Sequence, residues 1–244
     1  MLSLLYYIVV LVVALVLYVA SFIALVVCYP FDRKRVVVHT ISKWITDVIF
    51  GLLPCMKREV IGIENIDPKK AYVMVLNHNS MADIITIYNL PLVFKWVSKK
   101  EVYRIPIVGR LLFAHGDIVI NRASTKEAMQ LVHNKGMEWL KRGASVSIFP
   151  EGTRSKDGEI HNFKAGAFLL AKDAGVPILP IVLDGTNRMM RKGLFMNWSN
   201  KITIKILPEV SVEEIAERPI KEIIAEVHDN MVDALTEIRS NNRK

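Results

Sequence analysis

Residues 124–155 read STKEAMQLVHNKGMEWLKRGASVSIFPEGTRS, and the fold class follows from this stretch. Ser124 and Glu127 have the spacing of a capping box, in which each side chain accepts an amide hydrogen at a helix start. The helix they open is expected to run to Lys141. Gly143 then closes it in the left-handed conformation that glycine adopts without steric cost. Residues 146–149 form a short, β-prone apolar run, which reads as a strand. The chain leaves that strand through the polar loop Pro150-Glu151-Gly152-Thr153-Arg154. Helix, strand and polar loop in succession are the building unit of an α/β domain.

Working outward, the same pattern repeats. Further strands are expected at 72–76, 92–97, 118–120, 178–183 and 202–206, with helical patterns between them. A helix at 164–174 stops at Gly175. Another starts at Pro219 and carries the apolar stripe Ile220, Ile223, Ile224, Val227, Met231, Leu235 and Ile238, read as core cover. Residues 59–244 therefore predict one α/β domain with a central, mostly parallel or mixed sheet flanked by helices.

Residues 1–58 are a different material. All 32 lysines and arginines and all 24 aspartates and glutamates lie at or beyond Asp32. The first 28 residues, MLSLLYYIVVLVVALVLYVASFIALVVC, would make a helix of about 42 Å against a hydrocarbon core of about 30 Å. A basic leader and a small-residue cleavage site are both missing, so a cleaved signal peptide is not expected. Pro30 breaks the helix, and Asp32-Arg33-Lys34-Arg35 follows, a cluster that belongs at the cytoplasmic headgroups. Residues 36–53 then place Val37, Val38, Ile41, Trp44, Ile45, Val48, Ile49 and Leu52 on one helical side, opposite Thr40, Lys43 and Asp47. The segment predicts a hydrophobic two-helix membrane anchor, either spanning the bilayer or dipping into one leaflet. The expected location is the cell (inner) membrane, with the catalytic domain on the cytoplasmic face. Cys28 and Cys55 are too few for a disulfide framework and fit a reducing compartment.

The formal charge of +8 points to an anionic partner: nucleic acid, anionic membrane lipids or a phosphorylated substrate. The basic residues are scattered without a nucleic-acid-binding motif and the chain carries a greasy anchor, so no nucleic acid is expected. Dinucleotide, Walker, nucleophile-elbow and zinc-site motifs are absent, and no metal is expected.

Three segments carry candidate chemistry. In Asn77-His78-Asn79-Ser80-Met81-Ala82-Asp83, directly after a strand, Asp83 can bond one imidazole nitrogen and leave the other to take a proton. The same residues also read as a capping box, Ser80-x-x-Asp83, with His78 in a loop. In the 149–155 loop, Gly152 permits a tight turn with free N–H groups, and Arg154 can grip a phosphate bidentately; a solvated turn is the alternative. Gly116-Asp117-Ile118-Val119-Ile120-Asn121-Arg122 delivers an arginine from a strand end, and Lys99-Lys100 follows another strand. Taken singly, these cations read as surface residues. Together His78, Lys100, Arg122, Glu151 and Arg154 all follow strands, where α/β sheets bind ligands. One base among several cations suits a hydroxyl substrate that bears a phosphate. His115, His133, His161 and His228 show no ligand spacing.

N-H-x-S-x-x-D at 77–83, G-x-I-x-I-x-R at 116–122, F-P-E-G-T-R-S at 149–155 and V-P-I-x-P-x-x-x-x-G at 176–185 occur in this order. They resemble the glycerolipid acyltransferase family, and within it the 1-acyl-sn-glycerol-3-phosphate acyltransferases. Met81 and Asn121 depart from the family pattern, which often has tryptophan and aspartate there. The resemblance implies transfer of a fatty acyl group from acyl-CoA or acyl carrier protein to the sn-2 hydroxyl of lysophosphatidic acid, giving phosphatidic acid without an acyl-enzyme or a cofactor. It implies His78 as general base oriented by Asp83, and Glu151, Gly152 and Thr153 around the glycerol. Arg122 and Arg154 would hold phosphate, with Lys100 as an addition. Two competing readings are a glycerol-3-phosphate acyltransferase and a membrane-tethered lipid-binding protein without turnover.

Overall fold

The structure, a computed structural model, describes residues 2–52, 57–105, 108–121, 125–189, 197 and 200–242. In chain order the elements are α1 Leu2–Cys28, α2 Val36–Gly51, β1 Lys57–Ile61, β2 Val73–Leu76, α3 Ala82–Thr86, β3 Phe94–Lys99, α4 Val108–His115, β4 Ile118–Ile120, α5 Thr125–Lys141, β5 Ser145–Ile148, α6 Gly166–Ala174, β6 Ile178–Asp184, β7 Lys201–Ile206, α7 Val212–Glu217 and α8 Ile220–Asn241.

Successive side chains of a strand point to opposite faces, and β2 shows what each face meets. Val73 and Val75 enter a core with Phe168 and Leu170 of α6 and Val227, Met231 and Leu235 of α8. Met74 and Leu76 enter a second core with Phe94, Trp96, Ile181 and Ile204. A strand buried on both faces is the central strand of a covered, largely parallel sheet. The sheet order is β1-β7-β6-β2-β5-β3-β4. Only β6–β7 is antiparallel among these pairs, which gives the mostly parallel, mixed sheet expected.

The stripe of α8 is core cover as read: Ile223, Val227, Met231, Leu235 and Ile238 are all buried. Ser124 lies outside the described residues, so its half of the capping box is not seen, but α5 starts at Thr125 as the spacing requires. Gly143, at φ +76°, ends that turn with its N–H bonded to Leu140 O.

Several elements were not expected from the sequence. β1 is short and mostly exposed, and it exists because β7 offers it a parallel partner from Lys57↔Lys201 to Ile61↔Lys205. It spans the 58/59 position at which the sequence divides. The short helices α3, α4 and α7 were also unassigned, and α6 begins at Gly166, leaving Lys164 in the preceding loop.

At the N-terminus, α1 is the one described helix long and apolar enough to cross a membrane. The helix α2 is present, and of the apolar side read from the sequence only Val38 and Ile41 are buried. Val38, His39, Ile41, Thr46 and Phe50 are buried, whereas Trp44 is 54% exposed. The shift has a physical reason: the domain offers polar partners at this contact. His39 Nδ1 meets His115 Nε2 at 2.9 Å, and His115 Nδ1 meets Asp117 Oδ1 at 2.6 Å. Trp96 N–H donates to the same Asp117 oxygen, and the buried Lys95 ammonium donates to His115 O at 2.8 Å. The turn before α2 is tied in the same direction, Arg35 Nη1 donating to Phe113 O and Ala114 O at the end of α4. At the other end of the anchor, Tyr6 of α1 is buried with Phe50, Met189 and Ile202, against Ala82 and Ile85 of α3. The anchor is therefore packed onto the domain along its length.

Burial, with the cationic neighbours His115 and Lys95, pushes the His39 pKa down to about 2. Burial also lowers His115, with Asp117 opposing, and brings Lys95 down to about 7. Folding thus depresses both histidines, so their contribution is complete above about pH 6.5 and is lost as the pH falls below it. The urea midpoint of the detergent-solubilised protein should drop between pH 7.5 and 5.5, each histidine contributing up to about 1.4 kcal/mol per pH unit. His39→Gln should flatten that dependence; an unchanged slope in the variant would remove His39 from the account.

Candidate active site

The site is assembled where β2, β5 and β3 end side by side. Asn77, the residue after β2, exchanges two bonds with Leu183 of β6: its Nδ2 donates to Leu183 O at 2.9 Å, and its Oδ1 accepts from Leu183 N at 2.7 Å. This clamps the strand end and aims the next residue, His78, out of the sheet edge.

His78 Nδ1 lies 2.7 Å from Asp83 Oδ2, and Asp83 is fully buried. The same oxygen accepts from Asn79 N at 2.7 Å and Ser80 N at 2.8 Å. Only half of the expected capping box is made: Asp83 accepts the Ser80 amide, whereas Ser80 Oγ accepts from Ala82 N and α3 has no side-chain cap. A carboxylate that already accepts two amide hydrogens is an acceptor only, which assigns the third hydrogen to His78 Nδ1 and leaves the lone pair on Nε2. The imidazole face stacks on Phe149, with centroids 3.9 Å apart and planes 12° from parallel.

The loop after β5 is bound back to this turn. Glu151 Oε1 accepts from His78 N at 2.9 Å, and Oε2 accepts from His161 N at 3.1 Å. Burial raises the Glu151 carboxyl above its usual range, against the downward pull of these two amides. Ser155 N donates to His78 O at 2.7 Å. Gly152 takes φ +75°, the turn conformation expected of it, but its N–H donates to Phe149 O at 3.0 Å and is not free as the sequence suggested. The tight turn itself takes up that amide.

Thr153 and Arg154 are exposed, and Lys100 is exposed beyond the end of β3, its amide held by Ile120 O at 2.9 Å. Arg122 lies outside the described residues; β4 ends two residues before it. Lys164 went unnoticed in the sequence because it was counted into a helix. Its ammonium rests against Gly152, so close that a β-carbon there would lie 2.9 Å from Nζ. Among the described residues, Lys100, Arg154 and Lys164 form no ion pair. Nor, among the described residues, do three His, Cys, Asp or Glu side chains converge as a metal site would require.

A buried Asp–His pair thus stands at the carboxyl edge of a mostly parallel sheet, where α/β domains bind ligands. Residues 57–184, more than half of the chain, match the family model described as Acyltransferase. The chain is 39% identical over 166 residues to a chloroplastic 1-acyl-sn-glycerol-3-phosphate acyltransferase of Brassica napus, covering 67% of this chain and 47% of the relative. It thus spans about half the length of that plant protein. With the 1-acyl-sn-glycerol-3-phosphate acyltransferase of Borreliella burgdorferi it shares 33% identity over 182 residues, covering 74% of this chain and 72% of the relative. The crystal structure of the 1-acyl-sn-glycerophosphate acyltransferase PlsC from Thermotoga maritima superposes with a TM-score of 0.74 at 26% identity, over 98% of this chain and 95% of that one. The chain belongs to the acyltransferase family, and within it groups with the 1-acyl-sn-glycerol-3-phosphate acyltransferases.

Glu151→Gln tests the two-amide bracket. A glutamine presents one acceptor oxygen, so its NH2 would face either the His78 or the His161 amide. Stability to urea, followed by circular dichroism, should fall by about 1–3 kcal/mol. An unchanged midpoint would mean that the bracket contributes nothing.

Proposed function

We propose that this protein transfers a fatty acyl group from a thioester of coenzyme A or acyl carrier protein to the sn-2 hydroxyl of lysophosphatidic acid, releasing phosphatidic acid and the free thiol. The observation that carries this reading is the 2.7 Å His78–Asp83 bond, which leaves Nε2 as the proton-accepting nitrogen at an open strand edge. In the proposed step, Nε2 takes the hydroxyl proton as the oxygen attacks the thioester carbonyl. The C–S bond then breaks, and the imidazolium returns its proton to the departing sulfur. A thiol with pKa near 8.5 leaves readily, so the reaction needs neither an acyl-enzyme nor a resident cofactor or metal.

In this reading Arg154, Lys100 and Lys164 grip the substrate phosphate, and Arg122 joins them on the strength of its motif. Thr153 and Gly152 lie against the glycerol. Glu151 acts from behind by fixing the His78 backbone, both of its oxygens being engaged there.

The lysolipid and the product are both membrane lipids, and we assign the protein to the cytoplasmic face of the cell membrane, in contact with anionic lipids. A pocket of about 310 Å³ lined by Tyr29, Pro30, Asp32, Arg33, Arg35 and Arg142, with three arginines to one aspartate and beside the exposed Phe31, suits headgroup phosphates at the end of α1. We read α1 as lying in one leaflet. A perpendicular span would carry its first turn about 30 Å from the cytoplasmic surface, and with it Met189 and Ile202, in whose cluster Tyr6 is buried.

The test is thiol release from palmitoyl-CoA by the detergent-purified protein, with lysophosphatidic acid or glycerol 3-phosphate as acceptor. Release with lysophosphatidic acid alone is expected. Release with glycerol 3-phosphate would reassign the acceptor, and silence with CoA and carrier-protein thioesters alike would leave lipid binding without turnover. His78→Ala should abolish turnover, and Asp83→Asn should lower it about 100-fold or more with lysolipid binding retained. Arg154→Ala should chiefly raise the KM for lysophosphatidic acid; an unchanged KM would remove it from the phosphate site.

A further inference from the structure

Asp83 bonds the edge of the His78 ring, and the general-base reading leaves the face of that ring without a role. The face is occupied. Phe149 stacks on it at 3.9 Å and 12°, and Trp96 stacks on Phe149 in turn, at 5.1 Å and 18°. Neither aromatic ring sits on a mobile segment. Phe149 immediately follows β5, and its carbonyl accepts the Gly152 amide that closes the turn. Trp96 is buried in β3, directly opposite Ser147 of β5, and its amide is held by Asp117 Oδ1 at 2.8 Å. Three neighbouring strands, β2, β5 and β3, thus set three near-parallel rings in succession, the imidazole at the end.

The chemistry of the base gives this stack a consequence. As the neutral base, imidazole gains little from an aromatic face beyond ordinary stacking. Once it has taken the hydroxyl proton it is a cation against the negative face of a benzene ring, an interaction worth about 0.5–2 kcal/mol. That attraction is absent in the ground state and present as the proton moves, so it accelerates the step instead of merely tightening binding.

Resting on the assignment of His78 as the base, we propose that Phe149 is a positioning residue for the reaction: its ring holds the imidazole in the plane that Asp83 bonds and stabilises the imidazolium formed on proton transfer. An aliphatic side chain would fill the same space and supply only the first of these.

The experiment replaces Phe149 in the full-length, detergent-purified protein with 4-fluoro-, 3,5-difluoro- and 3,4,5-trifluorophenylalanine. This series keeps the ring and its packing while draining charge from its face. Single-turnover acyl transfer from palmitoyl-CoA to lysophosphatidic acid is followed against pH, with circular dichroism confirming the fold. The expected result is a stepwise fall in the plateau rate, reaching about 2- to 30-fold with three fluorines, with the acid limb of the profile moving to lower pH and the KM for lysophosphatidic acid unchanged. Phe149→Leu should fall at least as far. A rate indifferent to fluorine content would overturn the proposal and leave Phe149 as packing, and so would a series that changes only KM. Failure of the underlying reading looks different: His78→Ala would then retain turnover, whereas a flat fluorine series beside an inactive His78→Ala removes only the role of Phe149.

Discussion

Asp83 Oδ2 collects hydrogen bonds from Asn79 N, Ser80 N and His78 Nδ1, at 2.7, 2.8 and 2.7 Å. A carboxylate this deeply buried would be costly without donors, and charge-assisted bonds of this kind contribute about 1.5–3 kcal/mol each. The same oxygen that closes the turn after β2 also sets the tautomer and plane of the imidazole. The chain therefore cannot complete this turn without orienting His78, and in the proposed reaction the base would be set before any substrate arrives. Folding and preorganisation are one event here.

Around this point the site is held mostly by side chain–to–backbone bonds between neighbouring strands. Asn77 joins the end of β2 to β6, Glu151 joins the loop after β5 to His78 and His161, and Ser155 returns to the His78 carbonyl. Such bonds fix the path of the main chain, and the tolerance on the His78 nitrogen is correspondingly small. The cations at the rim are different: Lys100 and Arg154 are exposed on long side chains. In the proposed reaction, a rigid base with an adaptable phosphate grip would suit an acceptor whose hydroxyl must be placed closely while its charged end need only be held.

The anchor belongs to the same construction. Tyr6 of α1 is buried in one cluster with Phe50, Met189 and Ile202, and His39 of α2 is bonded through His115 to Asp117 beside β4. The apolar outer face of α1, from Leu4 to Val27, is consequently fixed in its relation to the catalytic pair. These contacts couple the placement of α1 to folding, and the buried polar chain makes that coupling sensitive to protonation.

Much of this was legible in the sequence, because the signals were local. Hydrophobic alternation located six of the seven strands, Gly143 and Gly175 marked helix ends, and the charge-free first segment separated itself from the domain. His78 and Asp83 stood at a spacing that one turn brings together. What could not be read depended on neighbours distant in sequence. The polar strand β1 exists only because β7 is there to pair with it. His39 turned inward, against the apolar periodicity of α2, because His115 lies 2.9 Å away across 76 residues of chain. Glu151 was read as a substrate contact, and tertiary structure instead engages both of its oxygens with amides. Lys164 came to Gly152, and Phe149 to the face of His78, only when separate segments were folded onto one sheet edge. Local pattern alone sufficed to place most of the strands and turns and to bring His78 and Asp83 within one turn of each other. Only the tertiary structure decided which hydrogen bonds those side chains make, because a buried polar group takes its partner from whatever the packed chain places within reach.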